Sequence, residues 1–224
     1  MTYVYKVYAP RKKRNFFNSF SVTTNLILIN IVAFIFFTFL LLSNQNFLDS
    51  IALRPANIFQ GKFLWTFLTS MFMHGGFFHL FVNMFSLFFI GNLIEKIIGP
   101  KRYFWFYMIS GLFAGTFFVL MSLVFSSDFN AYAVGASGAL FGIAGLMIFL
   151  TPDLPLYVMF IPIPIKAKYA IPGLLAVLWL ISLTANIGIG NTAHLGGLLV
   201  GVVYGIYLRQ KYPRKIQMIS RHFS

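Results

Sequence analysis

Six stretches of this sequence are apolar and contain no Asp, Glu, Lys or Arg, and they limit the folds that the chain can adopt. About 20 such residues cross the hydrocarbon core of a bilayer as one α-helix. Only 9% of the residues are charged, against roughly 25% in an average soluble domain, and the mean hydropathy is +0.82. The sequence therefore predicts an all-α polytopic membrane protein, a bundle of six transmembrane helices. The predicted helices cover residues 22–42, 77–94, 103–125, 137–150, 170–187 and 193–208.

The basic residues predict the domain limits and the orientation of the bundle. The net charge is +13, and all of the 17 Lys and Arg residues except Arg54 and Lys62 fall on one side of the predicted helices. Because basic residues accumulate on the cytoplasmic side, we expect both termini in the cytoplasm. The predicted parts are a basic arm at 1–21, one membrane domain at 22–208 and a basic tail at 209–224.

The same charge distribution indicates what the protein contacts. Basic residues beside membrane helices favour anionic lipid headgroups, so we expect the lipid bilayer as a partner and no nucleic acid. An even number of helices with cytoplasmic termini predicts an integral, multi-pass protein, and we place it in the plasma membrane. The oligomeric state stays open at this point.

The residue types restrict the chemistry that the chain can perform. There is no cysteine, which excludes disulfides, thiolate metal ligands and a cysteine nucleophile. The four acidic residues are Asp49, Glu95, Asp128 and Asp153, and no HExxH motif is present. A zinc protease is therefore disfavoured, and we expect neither a metal site nor a cofactor.

Two of the apolar stretches are short. Residues 137–150 and 193–208 would extend only ~21 and ~24 Å as helices, whereas the hydrocarbon layer is about 30 Å thick. Backbone at that depth is tolerated outside a helix only if it is buried in protein or lines a water-filled cavity. We therefore expect a wet pocket that opens to the outer side of the membrane.

Four polar residues are expected at the depth of this pocket. His79 and Asn83 are four positions apart on the second helix and share one of its faces. Ser137 opens the fourth helix and His194 opens the sixth. A serine becomes a good nucleophile when a neutral histidine takes its proton, so Ser137 and His194 suit that pair. The four acidic residues lie elsewhere in the predicted topology, which favours a Ser-His dyad over a triad.

Small residues around this pair predict close helix packing. Glycines let two membrane helices approach each other, as the hydrogen bond between Ser137 and His194 requires. Phe141 lies one turn below Ser137 on the same face and could support the histidine ring. The glycines that we single out are Gly135, Gly138, Gly197 and Gly201.

These motifs resemble the rhomboid family of intramembrane serine proteases. The similarity rests on HGGFFHLFVNM at 74–84, the stretch 95–99, GASGALFG at 135–142 and AHLGGLLVG at 193–201. It implies a rhomboid-like six-helix bundle, Ser137 as nucleophile, His194 as base and an oxyanion hole that includes His79 and Asn83. The substrates would be transmembrane proteins. One departure concerns the first outer connection, where the family's Trp-Arg pair is replaced by Trp65 followed by Thr66.

The resulting hypothesis is an intramembrane serine endopeptidase that cleaves transmembrane proteins near the outer face of the membrane. One alternative is a transporter or channel built on broken helices, although the six stretches contain none of the charged residues that ion-coupled carriers commonly place there. Another is a catalytically silent rhomboid-like protein that binds membrane proteins. Substrate identity, the preferred cleavage site and the pathway stay open.

Overall fold

A computed structural model describes residues 20–157, 162–185 and 188–223. Within these ranges, five helices are long and apolar enough to cross a membrane, and a sixth apolar helix is shorter. The predicted all-α membrane fold is therefore confirmed, while residues 1–19 of the predicted arm lie outside the described ranges. The six helices are α1 (Val22–Ser43), α5 (Phe77–Ile98), α6 (Pro100–Met121), α8 (Ser137–Leu150), α9 (Ala167–Ala185) and α10 (Asn191–Lys211).

Smaller elements lie in the connections between these helices. The connection after α1 contains the 3-10 helix Gln45–Phe47 and three short α-helices, α2 (Leu48–Ile51), α3 (Pro55–Phe59) and α4 (Thr66–Thr69), and α7 (Ser126–Phe129) follows α6. Strands β1 (Pro155–Leu156) and β2 (Ile165–Lys166) pair antiparallel in the inner connection. Helix α11 (Pro213–His222) follows α10 and packs Ile216 into the core.

The prediction that both short helices fail to cross the bilayer is right only for α8. Helix α8 has 14 residues, but α10 begins at Asn191 and ends at Lys211, which gives 21 residues. The expected length was too small because the uncharged stretch stops at Arg209, whereas the helix does not. Basic side chains at a helix end can extend toward the headgroups while their backbone stays helical.

Helix α8 forms the centre of the bundle. Ten of its residues are buried, and its principal neighbours are α10 and α6. The closest approach is to α10, where a methyl group on Gly197 would overlap the Gly138 carbonyl oxygen and one on Gly201 would overlap that of Gly142. Glycine at these positions therefore sets the distance between the two helices that carry Ser137 and His194.

The connections after α1 and after α6 share a polar network. Arg54 donates to Asn130 across 3.0 Å and lies 3.4 Å from the Asp49 carboxylate, which also accepts from the Tyr132 hydroxyl at 2.8 Å. Donation by Tyr132 is the main reason that the pKa of Asp49 lies below its usual range. Trp65 donates its indole N–H to the Ser50 carbonyl oxygen at 2.8 Å. The connections after α1 and after α6 are thereby held together.

Glu95 joins the end of α5 to the start of α1. Its carboxylate accepts hydrogen bonds from the Val22 N–H at 2.9 Å, the Thr23 N–H at 2.8 Å and the Thr23 hydroxyl at 2.7 Å, and only 8% of the residue is exposed. The first N–H groups of a helix have no partner in their own helix, and a carboxylate there also interacts favourably with the helix dipole. Glu95 thus fixes α1 against the rest of the bundle.

We expect Glu95→Ala to lower the free energy of unfolding by about 3 kcal/mol, since it leaves three donors, two of them buried, without an acceptor. Thermal unfolding of the purified protein measures the effect. Asp153→Ala is the matched control, because Asp153 also pairs with Lys166 and Lys168 at 3.0 Å but does so at the surface. Equal losses for the two variants would contradict this role of Glu95.

Candidate active site

Ser137 is presented by a tight turn at the start of α8. Gly135 precedes it with φ +111°, a backbone conformation that side chains disfavour, and its N–H donates to the Ser70 carbonyl oxygen at 2.8 Å. The turn leaves the Ser137 side chain half-buried at the first position of the helix. There, the backbone N–H groups of the first turn have no partner within the helix and point toward incoming negative charge.

His194 meets Ser137 from the first turn of α10. Its Nε2 lies 2.8 Å from the Ser137 Oγ, within hydrogen-bond distance. The imidazole stacks on the Phe141 ring, with centroids 4.5 Å apart and planes 22° from parallel. The residue is only 8% exposed. The structure thus brings together the three side chains that the sequence placed on facing helix turns.

No acidic residue completes a triad in the described part of the chain. The Nδ1 of His194 is buried and has no hydrogen-bond partner there. The ring is positioned instead by its stacking on Phe141 and by the backbone of α10, where the His194 N–H donates to the Gly190 carbonyl oxygen at 3.0 Å. Ser137 and His194 therefore face each other without an acidic partner among the described residues.

His79 lies beside Ser137 at Gly135, and Asn83 is hydrogen-bonded to His79. The β-carbon of a side chain built on Gly135 would lie 2.9 Å from the His79 Nε2 and 3.8 Å from the Ser137 Oγ, so the imidazole and the hydroxyl flank the same glycine. Asn83 is 3% exposed, and its amide nitrogen donates to the His79 carbonyl oxygen at 2.8 Å. An amide nitrogen carries two hydrogens, so a second donor remains for a ligand.

His74 is a further neighbour of the site. Five positions separate it from His79, which argues against a shared helix face, but α5 begins only at Phe77, after Gly75 and Gly76. The chain turns back at these glycines, and the rings of His74 and His79 meet edge to face at 5.2 Å. Burial, followed by the nearby His79, lowers the pKa of His74 to about 4, so the ring is neutral at pH 7.

The functional groups around Ser137 determine which reactions the site can support. Within the described ranges no cluster of three or more His, Cys, Asp or Glu residues could bind a metal ion. A half-buried hydroxyl, a histidine acceptor for its proton and several N–H donors lie around one point. Such a set suits attack on a carbonyl carbon and stabilisation of the oxyanion that forms.

Comparison with known proteins shows the family. The model of the Rhomboid domain matches residues 61–211, which is more than half of the chain. The chain belongs to the rhomboid family. It is 35% identical over 162 residues to RHOMBOID-like protein 6, mitochondrial, of Arabidopsis thaliana, covering 70% of this chain and 48% of that protein. It is 31% identical over 160 residues to Rhomboid protein 1, mitochondrial, of Saccharomyces cerevisiae, covering 69% of this chain and 46% of that protein.

The similarity extends to a relative that is named inactive. Inactive RHOMBOID-like protein 8 of Arabidopsis thaliana is 36% identical over 85 residues, which is 38% of this rhomboid chain and 22% of that protein. The chain spans about half the length of the two mitochondrial relatives. Membership of the family therefore shows a rhomboid-type membrane protein, and the activity of this chain has to be argued from its own site.

The rhomboid chain is an integral, multi-pass membrane protein, as its helices and its family show. The sequence-based prediction of the plasma membrane has no support, because RHOMBOID-like protein 6 and Rhomboid protein 1 are both named mitochondrial. The orientation with both termini in the cytoplasm stays a prediction from the basic residues.

Proposed function

We propose that this rhomboid is an intramembrane serine endopeptidase that hydrolyses peptide bonds of transmembrane proteins with Ser137 and His194 as its catalytic dyad. The observation that carries the proposal is the 2.8 Å contact between the Ser137 Oγ and the His194 Nε2 at the start of α8. The hydroxyl is half-buried and the imidazole is nearly fully buried.

The reaction follows from this geometry. As the Ser137 Oγ attacks the carbonyl carbon of a substrate segment that has unwound near the outer face, the His194 Nε2 takes the hydroxyl proton. The C–N bond then breaks, and His194 returns the proton to the leaving amine, which leaves an acyl-enzyme. A water molecule that gives its proton to His194 attacks the acyl carbon, and the second collapse releases the acid and restores Ser137.

Both tetrahedral intermediates place a negative charge on the substrate oxygen, and we assign several donors to that position. They are the Ser137 backbone N–H, the first-turn N–H groups beyond it, the Asn83 amide and the His79 imidazole. The N-terminus of α8 adds a favourable dipole. In a buried site, prearranged donors stabilise a developing oxyanion strongly because they do not have to reorient during the reaction.

The competing candidate is a catalytically silent rhomboid that binds membrane proteins, since one relative is named inactive. This chain has both a serine and a histidine at hydrogen-bond distance, together with the stacked Phe141. A binding protein does not need that arrangement. The geometry therefore favours the protease.

A fluorophosphonate probe tests the proposal, because it reacts with activated serines irrespective of substrate. The native protein in liposomes is expected to be labelled and to cleave members of a panel of single-span proteins, and Ser137→Ala is expected to do neither. Ser86→Ala is the matched control on α5. Equal cleavage by native and Ser137→Ala proteins would rule out the serine mechanism.

We expect Asn83→Ala to lower kcat on the order of 10²-fold, the effect of losing one oxyanion donor. KM should change little, because the donor acts mainly on charge that develops after binding. Asn92→Ala is a matched control, since Asn92 donates to the Phe88 carbonyl oxygen four positions back on the same helix, at 2.6 Å, on an exposed face. If both variants cleave alike, Asn83 is not an oxyanion donor.

A further inference from the structure

A carboxylate from a distant part of the chain is hydrogen-bonded to the turn that carries His194. The Thr192 hydroxyl donates to the Asp128 Oδ2 at 2.9 Å, across 64 positions of sequence. Thr192 is 4% exposed and precedes His194 by two residues in the first turn of α10. The proposed hydrolysis assigns no part to this contact.

The segment that carries Asp128 is fixed from the other side. Asn130 accepts from Arg54 at 3.0 Å, and Tyr132 donates to Asp49 at 2.8 Å. The neighbouring Phe129 stacks on Phe59, with centroids 5.9 Å apart and planes 9° from parallel. Backbone hydrogen bonds also pair the connection with the outer connection after α1, at Leu53 and Ala133. Asp128 therefore links the first turn of α10 to a segment that is itself held by contacts with the connection after α1.

His194 is the residue for which this attachment matters. Its Nδ1 has no hydrogen-bond partner in the described part of the chain, so no acid restrains the ring directly. Stacking on Phe141 sets the tilt of the ring but allows sliding in the ring plane. The separation of Nε2 from the Ser137 Oγ consequently depends on where the first turn of α10 lies, and helix ends fray unless they are held.

The charge of Asp128 suits the same position. The first turn of α10 contains no acidic residue of its own, and the preceding residue, Gly190, offers no side chain as a cap. A carboxylate near the first turn interacts favourably with the positive end of a helix dipole. Asp128 supplies this charge from another segment.

We propose that Asp128, acting through Thr192, is a positioning residue that holds the first turn of α10 so that His194 stays within hydrogen-bond distance of Ser137. This inference rests on the proposed serine protease function. Under this proposal, the connection after α6 contributes to kcat through the position of His194. Neither Asp128 nor Thr192 contacts the reacting atoms.

Thr192→Val tests the contact with little change of side-chain shape. Its kcat is expected to fall on the order of 10-fold, since small displacements of a catalytic group have large effects on rate. KM should stay within about 2-fold of the native value, because substrate binding is not altered. Thr192→Ser keeps the donor and should restore most of the native kcat. Thr116→Val is the matched control, since the Thr116 hydroxyl donates to the Leu112 carbonyl oxygen of its own helix on an exposed face.

Asp128→Ala completes a double-mutant cycle. It should lower kcat about as much as Thr192→Val, and the double variant should be no slower than either single one, because all three lack the same bond. Additive losses would mean that the two residues act separately. Asp128 is partly exposed in a four-residue helix, so its variant also decides the matter if Thr192→Val does not fold.

Thermal unfolding of every variant, in the same detergent, separates rate from stability. A native kcat for Thr192→Val or Asp128→Ala, or a Thr192→Ser protein as slow as Thr192→Val, would overturn the positioning role. If Ser137→Ala cleaves as the native protein does, the serine mechanism itself has failed. If Ser137→Ala is inactive while Thr192→Val cleaves at the native rate, only the positioning role has failed.

Discussion

His194→Ala is expected to lower kcat by roughly 10³-fold, within the range for loss of a positioned general base. The Ser137 Oγ then loses the acceptor for its proton, because His194 is the side chain that is hydrogen-bonded to it. Fluorophosphonate labelling should fall in parallel, since the probe reports activation of the hydroxyl. Single-turnover cleavage of a fluorescent single-span protein in liposomes measures the rate.

The double variant Ser137→Ala/His194→Ala tests whether the two residues act together. Nucleophile and base act as a unit, so the double variant should be about as slow as either single variant rather than slower by the product of both losses. Phe141→Leu should keep substantial activity, because it removes the aromatic stack and leaves the dyad itself in place. If His194→Ala is labelled at the native rate, another residue must activate Ser137.

Gly197→Ala and Gly201→Ala are expected to have the largest effects on stability. A methyl group at either position would overlap a backbone carbonyl oxygen of α8, at Gly138 or Gly142, and backbone cannot move aside as a flexible side chain can. Forcing α8 and α10 apart should lower the free energy of unfolding by at least about 4 kcal/mol, the range of severe packing defects. The same separation would break the contact between Ser137 and His194.

Gly173→Ala is the matched control for these glycine variants. Gly173 also lies within a membrane helix, α9, but no heavy atom lies within 4 Å of the position that its β-carbon would take. Its substitution should leave stability unchanged or raise it by up to about 1 kcal/mol, because alanine restricts the unfolded chain. Thermal unfolding by circular dichroism in detergent compares the three. Similar stabilities for all three would contradict the close packing of α8 and α10.

The membrane helices could be predicted from the sequence because the signal for each is local. A stretch without charges that is long enough to cross a bilayer identifies a span irrespective of what lies beside it. The ends were less certain, as α10 shows: it extends beyond the predicted range 193–208 at both ends, from Asn191 to Lys211. Charge marks where a segment leaves the hydrocarbon layer, whereas hydrogen bonding decides where the helix stops.

The residues of the candidate site could be named from the sequence. Ser137 and His194 each open a helix, and His79 and Asn83 share a helix face, all of which follows from spacing and topology. Glycine spacing on α8 and α10 also predicted a close helix contact. The catalytic roles of these residues stay a proposal until the variants are measured.

Long-range polar contacts were not predictable in this way. Glu95 binds the start of α1 across 72 and 73 positions, and Asp128 binds Thr192 across 64. On the sequence, Asp128 is one of several acidic residues that lie too far from His194 to complete a triad. The residues around Asp128 in the sequence do not show whether its carboxylate binds another segment, as it does at Thr192, or is exposed to solvent.

The sequence by itself determined that this chain is a multi-pass membrane protein and that Ser137 and His194 lie near the starts of two of its helices, because hydropathy and helical period are properties of neighbouring residues. Only the tertiary structure decided that the Ser137 Oγ lies 2.8 Å from the His194 Nε2 and that Phe141 stacks on the imidazole. Such distances depend on how closely α8 and α10 approach and on what braces the first turn of α10. Both are set by contacts between residues far apart in the chain.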